Sequence, residues 1–144
     1  MSFYRAALTA LALVAATPLF AADGILIDDA YVRFVPGAKS AAAFLTVQNT
    51  GAADDRIVSV TADIANKTEL HTHIMAADGT MQMRPIEGGI AIPAGSTHAL
   101  KRGGDHVMMM DLTTRPAEGA MVTITLTFEK AGEVTVEAPV DNQR

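Results

Sequence analysis

The chain has 144 residues, a formal net charge of −5, few aromatic residues, no tryptophan and no cysteine. An acidic chain with no basic run is a poor ligand for nucleic acid or an anionic lipid surface, and one so short of rings offers no stacking platform for bases or sugars. The absence of thiols excludes a blue-copper electron-transfer centre, a thiolate zinc site, a cysteine nucleophile and disulfide exchange. Any soft-metal chemistry therefore has to come from methionine and histidine.

The first residues read as an export signal. Arg5 precedes the apolar run AALTALALVAATPLFA, which is too short and wrongly flanked for a membrane span. Cleavage is expected at Ala21–Ala22, giving a signal peptide over 1–21 and a mature domain over 22–144, with a periplasmic destination. Loss of Arg5 alone takes the net charge from −5 to −6. The remainder is one domain by length and long enough for a core without disulfide staples.

From there the chain reads as strands and turns. ILIDDAYVRFVP alternates and stops at Pro36, and AAAFLTVQNTG ends in an Asn-Thr-Gly turn. RIVSVTAD sets Ile57, Ser59 and Thr61 against Val58 and Val60. TELHTHIM follows, then the turn AADG and the short run TMQMRPI, stopping near Pro85. GGIAIPAGST carries turn glycines and a Pro-Ala-Gly corner, and KRGGD is a turn. HVMMMDL, MVTITLTFE and EVTVEAPV complete the strands, and DNQR reads as a frayed end. Many short strands and no long helical pattern predict an all-β sandwich or barrel.

All four histidines, His71, His73, His98 and His106, lie in one third of the chain. Six of the eight methionines, Met75, Met81, Met83, Met108, Met109 and Met110, lie in or beside that window. Side chains two apart on a strand share a face, so His106 and Met108 can lean toward one ion, as can His71 with His73 and Met81 with Met83. Met109 points the other way, into the core, while Met110 shares the face of Met108. Each residue alone has a plain structural explanation: methionine is a common core filler, and His98 reads as a turn residue. Their concentration in one window is what core packing does not explain. Thioether with imidazole suits Cu(I), whereas zinc prefers thiolate, imidazole or carboxylate, and calcium and magnesium require oxygen.

The stretch ELHTHIMAADGTMQMRPIEGGIAIPAGSTHALKRGGDHVMMMDL resembles the PCu(A)C family of periplasmic copper chaperones. The likeness lies in a histidine, an M-x-M-R-P-like segment, a Pro-Ala-Gly turn, a Gly-Gly turn and a final His-x-Met. It implies a cupredoxin-like Greek-key β-barrel or sandwich with a surface Cu(I) site of two histidines and two methionines. Carried across, the ligands are His71, Met83, His106 and Met108, with Met81, Met110 and His73 as outer or second-choice ligands. The spacings from His71 to Met83 and from Met83 to His106 are each one residue longer than the family's, which makes Met81 a rival for Met83. His73 stands where many members have methionine. The resemblance further implies a non-enzymatic monomer that delivers copper to the binuclear copper centre of cytochrome c oxidase, directly or through another assembly factor. A copper-buffering or resistance protein would use the same residues.

A cupin-like metalloenzyme is the rival from another class. His71-Thr-His73 supplies its H-x-H, Asp78 falls near its acid position, and Pro93–His98 reads P-x-G-x-x-H. That reading leaves His106 and the methionines unexplained.

Overall fold

The computed structural model describes residues 20–22 and 24–144. The expected signal peptide lies outside the described residues up to residue 19. Strand β1 (Phe20–Ala22) spans the expected cleavage point and pairs with β2 (Ile25–Phe34). The remaining strands are β3 (Ser40–Asn49), β4 (Asp55–Ala62), β5 (Ala65–Met75), β6 (Met81–Pro85), β7 (Ile90–Ile92), β8 (Thr97–Leu100), β9 (His106–Leu112), β10 (Met121–Phe128) and β11 (Gly132–Pro139).

They form two antiparallel sheets. One runs β1-β2-β3-β9-β5-β6, with β8 also paired to β3, and the other runs β11-β10-β4-β7. The architecture is an all-β sandwich, as the strand pattern predicts. Ile25, Ile27, Leu45 and Val107 from the first sheet close on Ile57, Ile124, Leu126 and Val136 from the second. These residues alternate with polar ones, so each strand buries one face and the two faces together form the core.

Two bulges set where side chains point. In β2, Asp28 pairs with Thr46 but Tyr31 pairs with Phe44, and Asp29 takes φ +52°. The extra residue switches the parity, so Ile25 and Ile27 face inward before the bulge and Val32 and Phe34 after it. Tyr31 and Arg33 are thereby turned to the outer face. A second bulge lies between β10 and β4, where Thr127 pairs with Ser59 and Phe128 with Ile57. It places Ile57 and Val60 both in the core and leaves Val58 exposed, so the simple alternation expected for RIVSVTAD breaks there.

Two further expectations change. THAL forms β8, a strand that its polar, short sequence does not advertise. The end of the chain is tied down: Asn142 Oδ1 accepts from the Phe34 amide at 2.9 Å, and Arg144 pairs with Asp29 at 2.9 Å while its guanidinium lies 4.0 Å over the Tyr31 ring. Contacts to the Phe34 amide, the Asp29 carboxylate and the Tyr31 ring, all on β2, thus replace the fraying expected from composition.

Buried polar residues close the loops. Asn49 donates to the carbonyls of Ala53 and Ile92 and accepts from the Gly51 amide. Burial by itself would raise the Asp55 carboxyl, but backbone amides of Lys130, Arg56 and Ala131 outweigh it and hold the group below its ordinary range. Asp55 thus locks the β10–β11 turn to the start of β4.

Met109 is fully buried among core residues. Met109→Ala should cost about 2–5 kcal/mol in urea unfolding, Met109→Leu less than about 1.5 kcal/mol, and Met110→Leu within about 0.5 kcal/mol. Equal losses at Met109 and Met110 would contradict the division of this methionine run between core and outer face.

Candidate metal centre

Register places the candidate ligands. His71 lies directly opposite His106 in the β5–β9 ladder, and Glu69 opposite Met108. In the β5–β6 ladder His73 lies opposite Met83 and Met75 opposite Met81. On β3, Ala42 lies opposite Met108. Cross-strand partners share a face, so all of these side chains stand on the outer face of the seven-stranded sheet, with Val107 and Met109 on its inner face.

Within that face an open cleft of about 360 Å³ is lined by His73, Met83, His106 and Met108, beside Phe44 and Arg33. Three of the four expected ligands, Met83, His106 and Met108, therefore meet in one place. His71 does not line the cleft. It sits beside it, 8% exposed, with its ring centroid 5.9 Å from that of His106. His73, expected as an outer ligand, is in the cleft with its ring 5.3 Å from His106.

The hydrogen bonds assign the ring nitrogens. His106 Nδ1 lies 3.0 Å and His73 Nδ1 3.3 Å from the same acceptor, the Gly104 carbonyl. A carbonyl can only accept, so both Nδ1 atoms carry the proton and both Nε2 atoms keep a lone pair. Gly103, at φ +82°, makes the turn that presents this carbonyl. His71 is held the other way round. Its Nε2 donates to Glu69 Oε2 at 2.9 Å, and Lys67 steadies the other carboxylate oxygen at 3.2 Å. The His71 bond first, and Lys67 second, hold the Glu69 carboxyl below its ordinary range. Nδ1 of His71 is buried and has no partner. An unpaired buried nitrogen costs free energy unless something ligates it. A carboxylate holding the far nitrogen of an imidazole is the usual support for a metal-binding histidine.

His106 is 2% exposed. Burial pushes its pKa below 6.5; the Gly104 carbonyl opposes that shift, and the neighbouring His73 and His71 reinforce it. The ring is thus kept neutral, the form that can bind a metal. Phe44 lies 6.1 Å from the His106 ring and Tyr31 5.1 Å from Phe44. Phe44 walls one side of the cleft, with Tyr31 packed behind it.

Among the described residues no hard-metal arrangement is formed. His98 lies opposite Val47, whose side chain is in the core, so it belongs to the other face of the sheet from His71 and His73. Its Nε2 is bonded to Asp105 at 2.9 Å. Asp78 is bound to the amide and hydroxyl of Thr80 in the hairpin turn. The cupin-like set of His71, His73, His98 and a carboxylate is therefore not assembled. Among the described residues no group of three or more His, Asp or Glu is arranged to hold an ion. The donor set at the cleft is completed only by thioether sulfur. Met81 is 56% exposed and pairs with Met75 away from the cleft, so Met83 is the better placed of the two rivals. Met110 shares the face of Met108 one step beyond it, between Ser40 and Lys67.

Known proteins of similar sequence and fold identify the family. The chain is 35% identical over 126 residues to Lxx21020 of Leifsonia xyli subsp. xyli, whose name describes it as a lipoprotein; the match covers 88% of this chain and 75% of the relative. Among solved structures, the copper-bound PCuAC domain from PmoF2 is 28% identical with a TM-score of 0.71, covering 86% of this chain and 97% of that domain. The Cu(I) form of DR1885 from Deinococcus radiodurans is 31% identical with a TM-score of 0.62, covering 79% of this chain and 76% of that one. The lipoprotein profile LpqE-like matches residues 25–140. The chain therefore belongs to the LpqE-like family, the family of the PCuAC domains.

Proposed function

We propose that this protein is an exported metallochaperone that carries one Cu(I) bound by His71, Met83, His106 and Met108. One observation supports it above the others. Two imidazoles, each with one nitrogen held by an acceptor and the other unpartnered, stand on one sheet face with two thioethers, and among the described residues no group of three or more His, Asp or Glu is arranged to hold an ion. Such donors suit a soft d¹⁰ ion. The copper-bearing relatives support the same ion.

The roles follow from placement. His106 offers Nε2 and His71 its unpartnered Nδ1, with Glu69 fixing the proton on the far side of the His71 ring. Met108 joins His106 in the cleft from β9, and Met83 from the exposed edge strand β6. Met83 is 51% exposed, so its thioether is the first that an incoming ligand can replace. Transfer is a ligand exchange: one bond to copper breaks as a partner's donor forms another, and copper stays Cu(I) throughout. The recipient we favour is the copper-bearing subunit of cytochrome c oxidase or another copper assembly factor, in the periplasm, with this protein acting as a monomer and not as an enzyme.

A competition titration with a colorimetric Cu(I) chelator, under anaerobic reducing conditions, should show one equivalent held tightly against the chelator. Met108→Leu should weaken it by at least tenfold, about 1.4 kcal/mol, with the melting temperature of the copper-free protein little changed; an unaltered affinity would remove Met108 from the site. In the same assay His71→Ala should lose more affinity than His73→Ala. The reverse order would give the fourth ligand position to His73.

Protonation supplies a separate check. A histidine whose native pKa lies below its unfolded value resists a proton that the unfolded chain accepts. The copper-free protein should therefore be most stable above pH 6.5 and lose stability as the pH falls through the window below it. Copper should also raise the melting temperature more at about pH 7.5 than at about pH 5, since protonated imidazole cannot ligate. A copper-induced shift that is equal at both pH values would argue against histidine ligation.

A further inference from the structure

We propose that Met75 and Met81 form a second, outer Cu(I) site at the tip of the β5–β6 hairpin, from which the ion passes inward to the cleft. The inference rests on the cleft being a Cu(I) site.

Met75 is 68% exposed, Met81 56% and Met83 51%. They pack into no core, so gap-filling does not account for them. The register explains their arrangement instead. Met75 lies directly opposite Met81, and the next rung on the same face is His73 opposite Met83. Directly opposed residues hold their Cβ atoms about 4.5–5.5 Å apart. Successive rungs on one face are about 6.5–7 Å apart. Two flexible thioethers on one rung can thus close on one ion, with His73 Nε2 on the adjoining rung as a third donor.

The chemistry of the hairpin is selective. The opposite face carries Thr72, Ile74, Gln82 and Arg84, and the Asp78 carboxylate at the turn is taken up by Thr80. On this face the rungs from Met75–Met81 to His71–Pro85 bear no carboxylate, and Glu69 beyond them is taken up by His71 and Lys67, which leaves soft neutral donors for a soft monovalent ion. Neutral thioethers also hold Cu(I) without the grip of a thiolate, so the ion can move on. All five residues of β6 are exposed and β6 is the edge of its sheet, so the tip is open to a copper source. Inward, the rungs run from Met75 and Met81 to His73 and Met83, and from there to His106 and Met108 in the cleft. Each step exchanges one ligand for another with no change in oxidation state.

The test uses the full chain with ¹³C-methyl-labelled methionine, titrated anaerobically with Cu(I) acetonitrile complex. The first equivalent should shift the Met83 and Met108 methyl signals, and the second those of Met75 and Met81. The double variant Met75→Leu, Met81→Leu, at exposed positions that leave the core untouched, should bind the first equivalent and lose the second. If two equivalents shift Met83 and Met108 but leave Met75 and Met81 unmoved, or if the double variant still takes up the second, the outer site is overturned and the cleft reading stands. If Met83 and Met108 do not shift, the cleft reading fails and the outer site falls with it.

Discussion

The antiparallel register between β5 and β9 is the constraint on which the site depends. It sets His71 opposite His106 and Glu69 opposite Met108. Side chains alternate with a period of two, so a slip by one residue would send Met109 outward and Met108 into the core. The partners on the inner face, Leu70 against Val107 and Thr68 against Met109, hold the register from the other side. The donors are therefore positioned by the same packing that stabilises the sandwich, and little additional structure is needed to gather them.

This arrangement explains the use of methionine three times in succession. Met109 fills the core between the sheets, where its flexible chain suits an irregular gap. Met108 and Met110 face outward, and only Met108 reaches the cleft with His106. One residue type can serve two purposes because a thioether is apolar enough to bury and soft enough to ligate. A valine or isoleucine at 108 would offer the cleft no donor atom.

Preorganisation extends beyond the donors. The Gly104 carbonyl orients two imidazoles, and the Glu69 carboxylate orients the third. The bulge at Asp29 turns Tyr31 and Arg33 onto the outer face, where Tyr31 stacks toward Phe44 and Phe44 toward His106. Burial under these rings keeps His106 neutral. On the opposite side the β5–β6 hairpin leaves its methionines exposed. The cleft is thus walled on one side by the Phe44 ring and open on the other.

The sequence by itself determined the class of the fold, because alternation with a period of two and frequent turn signals leave few architectures other than a sandwich or barrel. It also pointed to the kind of chemistry, because a chain without cysteine that concentrates histidine and methionine in one window gathers soft, neutral donors there. It separated Met109 from Met108 by parity alone. Tertiary structure decided the rest. That His73 shares the cleft while His71 sits beside it depends on which strands lie next to β5, information that spacing along the chain does not hold. That His98 falls on the other face depends on β8 pairing with β3, a strand too short and polar to be read from THAL. The proton positions on His71, His73 and His106 depend on a carbonyl and a carboxylate that only the folded sheet brings within hydrogen-bonding reach. Local pattern fixes which way a side chain points from its own strand; which other side chains it meets there is a property of the pairing between strands distant in sequence.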